Sequence, residues 1–437
     1  MGIIQLPAYV DYWSKDFKVD CVINVMSLKK YQLIRRYLHF NDSEVENESN
    51  DRYYKIRPLF DKVISNCRKI EEESRMSIDE MMVPYKGKKS GELKQYIKTK
   101  PKKWGYKMFV RAGVSGIVYD AILYGGQYTF SGRDFSNYEN TLGLGAKVVL
   151  SLCRTIRDPV LTVVCFDNYF SSVELMHHLR NELGILSIGT FQQNRTRGCI
   201  LKDDKEMKKM PRGSVDMKVC EEKKIVLVKW FDNKGVLLGS NYTGVEPMGV
   251  CKRYFKDKKE YREIPCPNIV KEYNKHMGGV DLADMLVAIY RTIYKTNKWY
   301  MPIFSQLLDV AINNAWLLYR RECGLKTGVD DHIALKAFRF KVAQEMSSYI
   351  PKALAENVEP PNRVNQRRII SRPIATRPEA ESRYDGKEHF PKITTKGRCR
   401  LCVKGKTTFL CIKYNMRLCI QQNRNCFYTF HQKEQET

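Results

Sequence analysis

The run Val160-Leu161-Thr162-Val163-Val164-Cys165-Phe166 leads directly into Asp167-Asn168-Tyr169-Phe170-Ser171-Ser172. Seven nearly all-apolar residues, several of them β-branched, predict a strand buried on both faces, since a strand with one wet face would alternate. A helix over 173–183 and a further strand over 185–191 follow after a short connection. Upstream, 76–85, 105–110 and 116–124 have strand texture and are separated by Gly-bearing turns. Mixed strands followed by strand, helix and strand argue for an α/β layer with a sheet at its centre.

Outward from that centre the pattern changes. Residues 1–75 predict two or three small helices, one capped by Ser27 and one over 53–70. Residues 199–267 are rich in Lys and turn formers, with strands at 224–231 and 236–240, and read as an insertion. Helical periodicity returns over 269–295 and 299–321, where Ile303, Phe304, Leu307, Leu308, Ile312, Ala315, Trp316 and Tyr319 form one stripe for packing. Residues 351–398 hold six of the 16 prolines and many basic residues, the composition of a linker.

The chain has 437 residues, enough for two or three domains, and its 43% hydrophobic content excludes a wholly disordered chain. Lys and Arg number 75 against 49 for Asp and Glu, a net charge of +26. That excess points to a polyanion, nucleic acid first, because neutralising phosphates releases condensed counterions. A basic secreted or ribosome-associated protein is the alternative. No apolar run reaches the roughly 18 residues of a spanning helix, so no membrane is expected. Met1 to Pro7 lacks the basic and apolar regions of a signal peptide, which predicts an intracellular protein. Nine of the 14 cysteines are scattered from Cys21 to Cys323, whereas five crowd between Cys399 and Cys426. In a reducing compartment that crowding reads as metal ligation.

Three acids stand out: Asp79 in a strand, Asp167 just past a buried strand, and Asp281 at the start of a helix. Carboxylates so placed could hold two Mg²⁺ ions, whose hard character favours oxygen ligands. Two such ions about 3.5–4 Å apart activate a hydroxyl on one side of a phosphodiester and stabilise the leaving oxygen on the other. Their carboxyl oxygens should then converge on common points. The bland readings are helix caps for Asp167 and for Asp281, which has Asp284 three residues on. Asp79 fits no cap, and Asp is depleted in strands.

Three separated motifs resemble those of the piggyBac transposase family and its transposable-element-derived proteins. They are Ser77-Ile78-Asp79-Glu80-Met81-Met82-Val83-Pro84-Tyr85-Lys86-Gly87, Cys165-Phe166-Asp167-Asn168-Tyr169-Phe170-Ser171-Ser172, and Tyr273-Asn274-Lys275-His276-Met277-Gly278-Gly279-Val280-Asp281-Leu282-Ala283-Asp284, followed by Lys298-Trp299-Tyr300-Met301-Pro302. The resemblance implies an RNase H-like core like that of retroviral integrases. It also implies a DDD triad at Asp79, Asp167 and Asp281 binding Mg²⁺ or Mn²⁺, with Asp284 as a further important acid. The chain begins close to the family motif Leu6-Pro7 and Asp11-Tyr12-Trp13, so a shortened N-terminal region is expected.

The basic stretch from Lys86 to Arg111 has nine Lys and one Arg against the single acid Glu92, with Tyr96, Trp104 and Tyr106 interleaved. Lys98, Lys100, Lys102 and Lys103 are its candidate DNA contacts, with a solvated hairpin as the alternative. Toward the end, Cys399-x2-Cys402 is followed by Cys411, Cys419, Cys426 and His431, with His389 upstream. This donor set fits structural Zn²⁺, and Cys399 and Cys402 should share one ion. The family's cysteine-rich domain resembles a cross-brace module for two zinc ions. Tyr414 stands where a second Cys-x2-Cys would close, and seven candidate ligands predict one closed site and one weakened or completed by another group.

The expected organisation is a helical dimerisation and DNA-binding region (1–75), a core in two parts (76–198 and 268–325) around an insertion (199–267), a helical return (326–350), a basic linker (351–388) and a zinc module (389–437). By resemblance the protein is a nuclear, dimeric transposase that cuts double-stranded DNA at terminal inverted repeats and joins it to TTAA targets. The alternative is a domesticated, catalytically silent, sequence-specific DNA-binding protein.

Overall fold

Strand β5, Val163–Phe166, has no exposed residue and lies in the interior of a nine-stranded sheet. The computed structural model describes residues 2–42, 51–87, 91–98, 100–257, 259–294, 296–327, 332–348, 383–402 and 405–432. The chain divides into two compact units, Met1–Tyr349 and Ile350–Thr437. The first holds the sheet, made of β1 (Arg75–Pro84), β2 (Gln95–Tyr96), β3 (Trp104–Gly113), β4 (Val118–Leu123), β5, β6 (Leu186–Thr190), β7 (Val215–Cys220), β8 (Ile225–Phe231) and β9 (Gly235–Ser240). Their order is β2-β3-β1-β5-β6-β9-β8-β7, with β4 also beside β3. β1, β3 and β4 pair antiparallel, whereas β1, β5 and β6 run parallel.

The buried run is shorter than its sequence predicts. The chain turns at 159–162, with Leu161 at a φ of 63° and Val160 and Leu161 at 70% and 72% exposure. Apolar character therefore marks the strand only from Val163. From there both faces are covered. Val164 and Phe166 join Ile78, Phe109 and Ile122 against the helices Leu144–Cys153 and Val173–Leu183. Val163 and Cys165 pack with Ile188, Val228 and Ile269. Further along β1 and β3, Met81, Val83 and Val110 pack against the helices Arg57–Cys67, Gly279–Ile289 and Met301–Thr327.

Segment 199–267 contributes β7, β8 and β9, which extend the central sheet because β9 pairs antiparallel with β6. It also forms a hairpin of β10 (Gly249–Phe255) and β11 (Glu260–Cys266). The helical pattern over 269–295 is two helices, Asn268–His276 and Gly279–Ile289, the second starting near Asp281 as its Gly278-Gly279 predicted. Close approach explains the break. A Cβ on Gly279 would lie 2.2 Å from the carbonyl oxygen of Gly113 and 2.9 Å from Ser77 Oγ. The Val280 N–H donates to that same Ser77 hydroxyl at 3.1 Å, so β1 satisfies a helix-start donor that Gly278 has no side chain to meet. At the N-terminal end, Ser27 accepts from the Lys30 N–H and caps the helix Leu28–Tyr37.

The second unit contains β12 (Pro391–Arg398), β13 (Lys406–Cys411) and β14 (Met416–Arg417) in one antiparallel sheet, and the helix Cys426–His431. Most of the predicted linker, residues 351–382, lies outside the described residues. Among the described residues, no helix is long and apolar enough to cross a membrane. Because the Gly279 contact is with backbone, Gly279→Ala should force the helix off the sheet and lower stability by about 1–3 kcal/mol, the usual range for overpacking. Thermal unfolding checks this; an unchanged melting temperature would mean the contact relaxes freely.

Candidate catalytic site and candidate metal centres

Register brings the first two acids together. β1 and β5 run parallel with Ile78 beside Phe166, so Asp79 and Asp167 come one residue further along adjacent strands. Asp167 lies just past the C-terminal end of β5, where open α/β sheets bind ligands. Gly279 then sets the third acid. Its contact with the sheet places Asp281 in the first turn of the helix, with Asp284 one turn on.

The cap readings do not describe these residues. Ser172 caps the helix after Asp167, accepting from the Leu175 N–H at 3.1 Å. Asp167 Oδ1 instead accepts from the Tyr169 N–H at 2.9 Å and fixes the turn that leaves the strand. At the other helix the N-cap is Gly278, with no side-chain cap.

Lys100 links two of the carboxylates. Its ammonium is 3.8 Å from Asp79 Oδ2 and 3.8 Å from Asp281 Oδ1. The Asp79 side chain is 14% exposed and that of Asp281 is 75% exposed. Burial, reinforced by Glu80, pushes the Asp79 carboxyl up to about 8, against the pull of Lys100. Burial also raises Asp167 and Asp284, the latter opposed by Arg291, whose guanidinium is 3.4 Å from Asp284 Oδ1. Burial lowers Lys107 on β3, with Glu80, Asp79 and Asp167 opposing. The cluster is thus three partly buried acids, Asp79, Asp167 and Asp284, and the exposed Asp281, balanced by Lys100, Lys107 and Arg291.

The acids do not converge as two shared ions would require. Among the described residues, the sets of three or more His, Cys, Asp or Glu ligand atoms mutually within 4.8 Å both lie in the second unit. In the first unit Lys100 stands between Asp79 and Asp281 instead. Of the four lysines singled out as DNA contacts, Lys98, Lys102 and Lys103 are exposed and Lys100 is turned inward. Lys107 and Arg291 were missed, since a cation that balances a distant acid leaves no local pattern in sequence.

The seven candidate zinc ligands separate into two sets. Cys399, Cys402, Cys419 and Cys426 form one, and His389, Cys411 and His431 the other. Cys399 and Cys402 fall in the same set, as their spacing predicts. Gly405 makes that turn possible, because a Cβ there would lie 2.6 Å from Cys402 Sγ and 2.7 Å from Cys419 Sγ. Burial pushes the Cys426 thiol up to about 12 and Cys419 up to about 11. For Cys399 burial is outweighed by backbone hydrogen bonds from Cys402, Leu401 and Cys419, which bring it down to about 7.

In the second set the imidazoles are oriented from behind. His389 Nε2 meets Asp385 Oδ1 at 2.8 Å, and its Nδ1 lies 4.0 Å from Cys411 Sγ. His431 Nδ1 meets the Phe427 carbonyl at 2.8 Å, while its buried Nε2 has no hydrogen-bond partner among the described residues. Such outer partners fix which nitrogen faces a metal. Among the described residues no further His, Cys, Asp or Glu joins this set, and the ring of Tyr414 lies against His431, centroids 6.2 Å apart. Four sulfurs, and separately two nitrogens with one sulfur, are donor sets that could hold Zn²⁺.

Comparison with known proteins fits this architecture. A family model described as Transposase IS4 matches residues 1–316, which makes this a transposase-family chain. Within that class the chain belongs to the piggyBac family of transposases and transposase-derived proteins. It is 31% identical over 414 residues to PiggyBac transposable element-derived protein 2 of Homo sapiens, covering 92% of this chain and 65% of that protein. It is 28% identical to PiggyBac transposable element-derived protein 3 of Homo sapiens, covering 99% of this chain and 69% of that protein. The chain thus spans about two thirds of the length of these relatives. Its fold matches a cryo-EM structure of a piggyBac transposase synaptic complex with hairpin DNA, with a TM-score of 0.64, 19% identity, and coverage of 97% of this chain and 85% of that one.

Two outcomes are expected from the site. A carboxyl whose folded pKa lies above its unfolded value contributes stability that is complete at low pH and lost as pH rises through the folded pKa. Asp79→Asn, measured in chelator, should therefore melt progressively higher than wild type as pH rises from about 4 toward 8, by up to about 1 kcal/mol per pH unit; a constant difference would place Asp79 in water. For the second unit, a Zn²⁺ ion held by these residues would supply much of the folding free energy of so small a module. Chelation should then make 389–431 protease-sensitive and leave 75–290 protected, with protein-bound zinc measured in parallel; resistance of both segments would leave the cysteines as ordinary buried thiols.

Proposed function

We propose that the protein is a DNA transposase that cuts and joins phosphodiesters at an acidic site formed by Asp79, Asp167 and Asp281, with Asp284 as an accessory acid. The carrying observation is geometric. Parallel register sets Asp79 beside Asp167, and a glycine-only contact brings the helix bearing Asp281 onto the same strand. The order β4-β3-β1-β5-β6, antiparallel for three strands and parallel from β1 on, supports an RNase H-like core for this site.

The all-oxygen donor set fits Mg²⁺ or Mn²⁺, which Asp79, Asp167 and Asp281 would hold. Such ions, when bound, activate a water or 3′ hydroxyl and stabilise the leaving oxygen. The chain's own residues prepare that chemistry. The Tyr169 N–H fixes the Asp167 carboxylate, the Gly279 contact fixes the helix, and Arg291 steadies Asp284. Exposed Lys98, Lys102 and Lys103 on the hairpin joining β2 to β3, beside the exposed rings of Tyr96 and Trp104, suit a phosphate backbone. The charge of +26 agrees with a polyanionic substrate. Terminal inverted repeats, a TTAA target, dimeric action, zinc in the second unit and a nuclear location complete the proposal.

The rival reading is a catalytically silent, sequence-specific DNA-binding protein on the same scaffold. Labelled terminal-repeat duplex with Mg²⁺ and a TTAA-containing target separates the two. The transposase reading expects nicking and strand transfer by wild type. It expects loss of at least about 10³-fold in Asp167→Asn with duplex affinity kept within a few-fold, since a ligand is lost and the basic surface remains. Specific binding without any nicking by wild type would support the silent protein.

A further inference from the structure

Lys100 belongs to the basic hairpin but turns toward the acids. Pairing of β2 with β3 ends at Tyr96 beside Trp104, and the Ile97 N–H donates to the Lys103 carbonyl at 2.9 Å. Beyond that bond the chain is a tip, with Lys98, Pro101, Lys102 and Lys103 exposed. Lys100 turns back from it, its side chain only 18% exposed, and meets carboxylates from two different elements, a strand and a helix. Asp79, Glu80, Asp281 and Asp284 all act on its charge.

An ammonium so placed opposes the binding of a divalent cation to the same carboxylates. Mg²⁺ binds oxygen at about 2.0–2.1 Å and prefers octahedral order, so it would displace the lysine or meet its repulsion. The tip's other lysines, Lys98, Lys102 and Lys103, are exposed and can meet phosphate.

We propose that Lys100 is the resident counter-ion of the acidic cluster, competing with a divalent cation for Asp79 and Asp281. It is drawn out when Lys98, Lys102 and Lys103 engage the phosphates of a DNA duplex. Metal loading and DNA engagement are thereby coupled, and linkage makes the coupling reciprocal. Lys100 is a positioning residue in this scheme, acting through the acids. The inference rests on the reading of those acids as a divalent-cation site.

Mn²⁺ titration of the full chain, with zinc present and free Mn²⁺ followed by electron paramagnetic resonance, tests it. Wild type, Lys100→Gln and Lys100→Met are compared with and without a blunt duplex, and ion binding by the duplex alone is subtracted. Without DNA, both variants should bind Mn²⁺ about tenfold tighter than wild type. The duplex should tighten wild-type binding by a similar factor and change the variants little. Equal or weaker Mn²⁺ binding by both variants would overturn the counter-ion role while leaving the metal site in place. Absence of Mn²⁺ binding in every protein, with and without duplex, would overturn the metal reading and this inference together.

Discussion

Backbone meets backbone where Gly279 lies against Gly113, and the geometry of the first unit's acidic site depends on that contact. No other residue type fits, because a single added carbon would lie 2.2 Å from a carbonyl oxygen. The helix start that results has its Val280 N–H satisfied by Ser77, two residues from Asp79 on the same strand. One close approach therefore ends a helix, starts another and brings Asp281 to the strand that carries Asp79. The parallel ladder between β1 and β5 adds Asp167 without any further device, since matched register alone puts neighbouring residues side by side.

This arrangement gathers negative charge inside a strongly positive chain. Asp79, Asp167 and Asp284 are all raised by burial, so the folded state holds these carboxyls against their preference for water. Acids taken partly out of water weaken a fold unless paired, and among the described residues the cations facing these are Lys100, Lys107 and Arg291. A structural core gains nothing from such a cluster. A site that takes up cations beside a polyanion does, which is why the proposed chemistry and the electrostatics agree.

Much of this was legible in sequence, but unevenly. The run at 163–166 announced a doubly buried strand through composition alone, and Cys399-x2-Cys402 announced a shared site through spacing. Family motifs located Asp79, Asp167 and Asp281. What sequence could not supply was long-range geometry. Val160 and Leu161 are apolar yet exposed in a turn, because hydrophobic character does not report backbone direction. Gly278-Gly279 marked a helix start near Asp281, but the contact of Gly279 with Gly113, more than 160 residues away, has no local signal. Lys100 read as one basic residue among nine lysines, and only the folded hairpin distinguishes the inward one from its exposed neighbours. The pairing of β9 with β6, which joins segment 199–267 to the central sheet, is invisible in composition.

In the proposed cation site a strand, a strand end and a helix each supply one aspartate. Anomalous diffraction from crystals of the full chain soaked in Mn²⁺ addresses it directly. Anomalous density should be bounded by the carboxylates of Asp79, Asp167 and Asp281, with Lys100 displaced from its place between Asp79 and Asp281. Density confined to other surface acids, with Lys100 still between the two carboxylates, would contradict the proposed site.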